Sequence, residues 1–169
     1  MRIAGSMMSW NIRGLGSATK RRSLRDVLRK NNVDMVLIQE SKMEAICSLL
    51  VTQLWVSDNY DFVFSPSVGA SGGILAIWEV SRFSMEVVDR NFILIQGTWL
   101  KEDIMCCILA VYALCDGRNQ ARFWDSILHW EFTFPGPWYF AEDFNSVLHN
   151  EERSGCSVAQ HGGYFCELC

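Results

Sequence analysis

Short apolar runs, each closed by a polar residue, recur along the chain and restrict it to layered strands and helices. Asp34–Gln39 contains Met-Val-Leu-Ile and is followed by Glu40. Ile104–Val111 is apolar throughout and is followed by Tyr112. Runs of this length fit buried strands and fall well short of a membrane span. Strands are expected at Ser6–Asn11, Asp34–Gln39, Tyr60–Ser65, Ile74–Trp78, Ser84–Val88, Phe92–Trp99, Ile104–Tyr112 and Trp138–Ala141. Helical spacing appears in Lys20–Lys30, at Leu24, Val27 and Leu28, and in Gln120–Trp130, at Phe123, Trp124, Ile127 and Leu128. A further helix is expected over Met43–Trp55, and Gly69–Gly73 reads as a loop. Long β-runs with intervening helices indicate a mixed α/β sandwich.

A length of 169 residues suits a single domain spanning 1–169. Half of the residues are apolar, and ten Phe, seven Trp and four Tyr give the core bulk. The N-terminal stretch lacks the continuous apolar core of a signal peptide, so an intracellular location without membrane attachment is expected. Seven cysteines is an odd number. Cys106 and Cys107 are neighbours and would point to opposite faces of a strand, which makes them poor disulfide partners. Cys166 and Cys169 form one CxxC with no second ligand pair at zinc spacing. Free thiols are therefore expected.

The formal charge is −4, but it is unevenly spread. Residues 13–30 carry seven basic groups, among them Arg13, Lys20, Arg21 and Arg22, against the single acid Asp26. That segment is +6, and the rest of the chain, with eight basic and eighteen acidic residues, is −10. Such a segment reads equally as a solvated helix face or as a phosphate-backbone contact.

Polar residues at strand ends are where a rigid sheet presents groups to a cleft. Asn11, Glu40, Tyr112 and the pair Asp143 and Asn145 all follow apolar runs. Each alone reads as a turn or cap residue; their agreement points to one shared site. A carboxylate with carboxamides is a hard oxygen donor set, suited to magnesium more than zinc. Glu40 could bind the ion with Asn11 in support, and Tyr112 could donate to a phosphate oxygen. Asp143 could orient or deprotonate a water, with Asn145 holding that water or the phosphate. These are the parts needed to hydrolyse a phosphate ester by in-line attack.

The segments Ser9-Trp-Asn-Ile-Arg-Gly-Leu-Gly16, Leu37-Ile-Gln-Glu-Ser41, Ser71-Gly-Gly73, Val111-Tyr112, Arg122-Phe-Trp124, Asp143-Phe-Asn145 and Glu152-Arg-Ser-Gly155 occur in that order. Together they resemble the endonuclease domain of plant LINE-type retrotransposons, within the exonuclease–endonuclease–phosphatase superfamily. The resemblance implies a four-layer α/β/β/α sandwich, incomplete at the C-terminus, with its site at one rim of the two sheets. It implies that Glu40 and Asn11 hold Mg2+, with Mn2+ as a substitute, and that Tyr112, Asp143 and Asn145 are catalytic. It further implies DNA as partner through its phosphate backbone, no obligate protein partner, and a nuclear setting for a functional element.

Two departures stand out. The family's late Ser-Asp-His motif has no match here, since His129, His149 and His161 lie in unrelated contexts. Glu142 also stands where the family usually has Gly before Asp-Phe-Asn. Weak or absent DNA nicking is therefore expected. The alternatives are a non-catalytic retroelement remnant with residual nucleic-acid binding and, less favoured by the SWNIRGLG wording, a lipid or inositol phosphatase.

Overall fold

Two four-stranded sheets form the body of the computed structural model, which describes residues 6–69, 71–89, 92–112, 125, 127–134 and 136–143. The first sheet has the order β1-β2-β4-β3, from β1 (Met7–Asn11), β2 (Met35–Gln39), β3 (Tyr60–Val68) and β4 (Ser71–Glu79). The second has the order β5-β6-β7-β8, from β5 (Phe83–Asp89), β6 (Leu94–Trp99), β7 (Ile104–Tyr112) and β8 (Trp138–Asp143). Each sheet contains one parallel pair, β1 with β2 and β7 with β8, and is otherwise antiparallel. A parallel pair requires a crossover, which for β1 and β2 is the helix α1 (Ala18–Asn31).

Alternation along the strands builds two cores from one sheet. In β2 all five residues are buried. Met35 and Leu37 join Ile74, Ala76 and Trp78 of β4 in the core between the sheets, with Phe83, Ile95, Cys106, Ile108, Ala110 and Ala141 opposite. Val36 and Ile38 join Leu75 and Ile77 on the other face, under Leu24 and Leu28 of α1 and Val51 and Leu54 of α2 (Ser48–Leu54). A period of two in the strands and of 3.6 in the helices is what produces these faces. The α1 termini follow local chemistry. Ser17 caps the first turn by accepting from the Lys20 N–H, and Asn32, at φ 50° and ψ 48°, ends the helix in the left-handed conformation.

Two expectations are corrected. The helix expected over Met43–Trp55 covers only Ser48–Leu54. The backbone ahead of it is already committed to the sheet: Ser41 N donates to Gly73 O, Lys42 N to Gly72 O, and Met43 O accepts from Ser67 N. Ser71–Gly73 is not loop but the start of β4, with Ser67 opposite Gly72 and Val68 opposite Ser71. The β3–β4 reversal needs only two residues, so the glycines are left free to pair.

The chain divides into two compact units. Met1–Tyr112 with Gly136–Asp143 form one, and its described residues give the α/β/β layers above. Ala113–Pro135 with Phe144–Cys169 form the other. There, residues 127–133 are helical, Ile127 is buried and the rings of Trp130 and Phe134 stack at 5.4 Å. Residues 120–124 of the helix expected there lie outside the described residues. Among the described residues no helix is long and apolar enough to cross a membrane.

Cys106 and Cys107 are both buried free thiols, and only Cys106 belongs to the inter-sheet core, as alternation requires. Burial raises both, Cys107 from its ordinary 9.0 to about 11, with Cys106 adding to the shift. Folding thus favours the neutral thiol. The Cys107 contribution to stability is full below pH 9.0 and is lost as pH rises through about 11. Cys107→Ala should therefore flatten the fall in melting temperature across that window, and an unchanged pH profile would count against the burial argument.

Candidate active site

Beyond their last paired residues, β1 and β2 continue side by side. Asn11 is in register with Gln39. Ile12 N then donates to Gln39 O at 3.1 Å, Gly14 N to Glu40 O at 2.7 Å and Leu15 N to Ser41 O at 2.8 Å. On the far side, Ser41 N reaches Gly73 O at 2.8 Å and Lys42 N reaches Gly72 O at 3.0 Å. This lattice holds three non-glycine residues in the left-handed region: Arg13 at φ 51°, Glu40 at φ 50° and Lys42 at φ 53°. Each costs roughly 1–2 kcal/mol relative to ordinary backbone. Such strain persists only where surrounding bonds over-determine it, and it clusters at functional sites.

The strained junction presents one carboxylate. Glu40 Oε1 accepts from Asn11 Nδ2 at 3.1 Å, and Oε2 lies 3.8 Å from Lys42 Nζ. Asn11 Oδ1 accepts from Arg13 N at 3.2 Å, so both ends of the amide are assigned by their partners. The Glu40 side chain is 18% exposed, enough for an ion or water to reach it. Among the described residues no three His, Cys, Asp or Glu side chains gather as a metal cage. One carboxylate with one carboxamide suits a hard divalent cation that keeps most of its own waters.

In the second sheet, Tyr112 and Asp143 form the last register pair of the parallel strands β7 and β8. They stand two residues beyond Ala110 and Ala141, both of which lie in the inter-sheet core. The structure therefore brings Asn11 together with Glu40, and Tyr112 together with Asp143, at the carboxyl ends of two parallel pairs. Within this unit β2 packs on β7 and β8, and β1 on β8. Asn145 lies outside the described residues.

The basic segment is divided in its use. Lys20 Nζ donates to Ile12 O at 3.2 Å and Arg13 O at 2.8 Å. Arg21 Nη1 donates to Leu15 O at 2.7 Å and Gly16 O at 2.9 Å, and its Nε donates to Gln53. These two residues clamp the 12–16 loop to α1. Arg13 and Arg22 are exposed.

Sequence reasoning missed three kinds of residue here. Lys42 lies just past the Leu37–Ser41 motif, and a base two positions beyond a strand-end acid was a usable signal. Gln39, Ser41 and Ser67 are buried around the Glu40 backbone, with Gln39 Nε2, Ser41 Oγ and Ser67 Oγ lacking partners. Gly73, at φ +81°, leaves room for Ser41 Oγ, which a Cβ there would strike. A cavity of about 260 Å³ lined by Asn32, Asp34, Trp55, Glu79 and Arg82 lies by the opposite end of β2 from Glu40 and does not belong to this site.

Facing mixed sheets, with polar residues at the carboxyl ends of their parallel strands, make a layered α/β sandwich. The chain belongs to the Endonuclease/Exonuclease/phosphatase family, whose sequence model matches residues 8–154. The fold is similar to that of AP endonuclease LMAP from Leishmania major, at TM-score 0.63 and 16% identity over 89% of this chain and 58% of that one. It is similar to TDP2 from C. elegans, at TM-score 0.59 and 20% identity over 88% of this chain and 49% of that one. A mannosyl-6-phosphatase from Bacteroides thetaiotaomicron gives TM-score 0.61 and 11% identity over 85% of this chain and 67% of that one. The chain thus spans about half of the TDP2 structure and under two-thirds of the LMAP structure. None of the curated protein sequences matches it significantly.

Gly73→Ala places a methyl group against Ser41 Oγ and within 3.2 Å of Ser67 N, at a backbone angle that L-residues rarely adopt. It should destabilise the protein by about 1–3 kcal/mol and displace Ser41, whose O and N flank the Glu40 turn. Urea denaturation measures this. A stability equal to wild type would show that the 41–73 contact does not fix the junction.

Proposed function

We propose that the protein is a divalent-metal-dependent phosphodiesterase that nicks DNA, of the kind encoded by plant LINE-type retrotransposons. The observation that carries this reading is the Glu40–Asn11 pair, held in a strained junction at the ends of β1 and β2. The SWNIRGLG and ERSG wording favours a retroelement source over other members of the family. Glu40, supported by Asn11, would hold Mg2+ or Mn2+, and the bound ion would supply positive charge against phosphate oxygens. Asn11 fixes the carboxylate through its Nδ2 and is itself fixed by Arg13 N–H. Tyr112 is assigned a hydrogen bond to a phosphate oxygen, Asp143 the proton of the attacking water, and Asn145 the placement of that water or phosphate. Convergence of the Glu40 half and the Asp143 half on one substrate is part of the proposal.

A second reading, a non-catalytic remnant that still binds nucleic acid, is favoured by Glu142. Glu142 stands where the family usually has Gly, and the family's late Ser-Asp-His motif has no match in this sequence. A plasmid-nicking assay separates the two readings. Slow nicking in Mg2+ or Mn2+, lowered by about 10²-fold or more in Glu40→Ala, is the expected result for an enzyme losing a group at its reacting centre. A wild-type rate no higher than that of Glu40→Ala, with DNA still bound, would establish the second reading.

DNA binding is assigned to the exposed members of the basic segment. Arg13→Ala with Arg22→Ala should weaken binding alike for all sequences and reduce the salt slope by about 2, roughly 1 for each phosphate contact. Lys20→Ala and Arg21→Ala should instead lower the melting temperature, because their donors serve the 12–16 loop. An unchanged salt slope in the Arg13, Arg22 variant would move the binding surface elsewhere.

A further inference from the structure

Lys42 has a placement that its contribution to stability does not explain. Its side chain is 42% exposed and its nitrogen stands 3.8 Å from Glu40 Oε2. Exposed pairs of this kind contribute little to folding. Yet the residue occupies the left-handed region at φ 53°, uncommon for any side chain but glycine. Its N–H is tethered to Gly72 O at 3.0 Å. Its stem runs over the open face of Gly14, with Cδ 3.6 Å from where a Cβ on that glycine would stand. Gly14, at φ +105°, has the backbone that permits this approach. Tether, glycine face and strained backbone together aim one ammonium at one carboxylate oxygen, while Asn11 holds the other oxygen.

We propose that Lys42 is a displaceable countercharge that couples cation binding at Glu40 to the binding of a phosphate-bearing strand. The proposal rests on the reading of Glu40 as the carboxylate that holds the divalent ion. Without the ion, the ammonium is held on Glu40 and is not offered to a phosphate oxygen. A divalent ion on the same carboxylate repels the ammonium at this range. The four-carbon stem then swings the charge off Glu40, where a phosphate oxygen becomes its best available partner. Lys42 therefore lowers affinity for the ion alone and raises affinity for DNA only when the ion is present. By linkage the two effects are one coupling.

The test uses the full chain, Mn2+ as the ion and a short fluorescein-labelled DNA duplex at constant ionic strength. Calorimetry gives Mn2+ affinity, and anisotropy gives DNA affinity in EDTA and in Mn2+. Lys42→Met keeps the stem over Gly14 without the charge, and thermal melts matching wild type establish that it folds. It should bind Mn2+ about tenfold more tightly, within the usual range for coupled sites. In EDTA it should bind DNA no more tightly than wild type, and in Mn2+ it should lose most of the gain in DNA affinity that Mn2+ gives the wild type. Lys42→Arg should retain that gain. Equal Mn2+ affinity and an equal Mn2+-dependent gain in Lys42→Met would overturn the countercharge. If Glu40→Gln binds Mn2+ as tightly as wild type, the assignment of Glu40 fails and this proposal fails with it. Loss of binding in Glu40→Gln with no change in Lys42→Met overturns the countercharge alone.

Discussion

Strand β2 is buried on both of its faces, and the placement of the site follows from that. Met35 and Leu37 close the core between the sheets while Val36 and Ile38 close the core under the helices. A strand in this position is pinned by its neighbours along its whole length, parallel to β1 on one side and antiparallel to β4 on the other. Polar side chains cannot enter such a strand without leaving unpaired groups. They can emerge only where it ends. Glu40 is the first residue past that end, and the left-handed turn at φ 50° lifts it from the buried layer while its carbonyl still accepts from Gly14 N.

The same logic explains what could be read in the sequence. The existence and order of the strands were legible because burial on two faces writes continuous apolar runs, as at Met35–Ile38 and Cys106–Val111. The strand-end positions of Asn11, Glu40, Tyr112 and Asp143 were legible as the places where those runs stop. The extent of α2 was not. Met43 and Ile46 are apolar at helix-compatible spacing, and no local property shows that residues 41–43 bond to Gly72, Gly73 and Ser67. The role of Ser71–Gly73 was hidden for a related reason. Glycines signal a turn locally, whereas here they admit a close neighbour, Ser41, that is distant in sequence.

Charge was the least legible property, because a count of basic residues does not separate those spent on structure from those left for a partner. Lys20 and Arg21 satisfy carbonyls of residues 12, 13, 15 and 16, groups that would otherwise seek water at the mouth of a loop. Arg25 does the same for Thr52 O at 2.7 Å, joining α1 to α2. The basic segment is thus partly a set of staples for the loop that follows Asn11. Its net positive field still surrounds that loop, since a hydrogen bond to a carbonyl leaves the charge of an ammonium or guanidinium in place.

Backbone strain and unpaired polar groups gather around Glu40. Gln39 Nε2, Ser41 Oγ and Ser67 Oγ are buried without partners, and a buried unpaired group costs about 1–3 kcal/mol. Three left-handed non-glycine residues, Arg13, Glu40 and Lys42, belong to the same hydrogen-bonded junction. Apolar side chains at 39, 41 and 67 and glycine at 40 and 42 would relieve most of this strain. The remaining buried polar atoms without partners among the described residues are the two indole nitrogens of Trp55 and Trp99, whose rings fill apolar volume in return. The unpaired amide and hydroxyls have no such return in packing. Gln39 and Ser41 flank Glu40 in the chain, and Ser41 and Ser67 meet at Gly73, so these groups gather at the junction that ends β2. Stabilising replacements at such positions are easy to reach, which makes them a direct way to weigh the strain of the junction against any activity it supports.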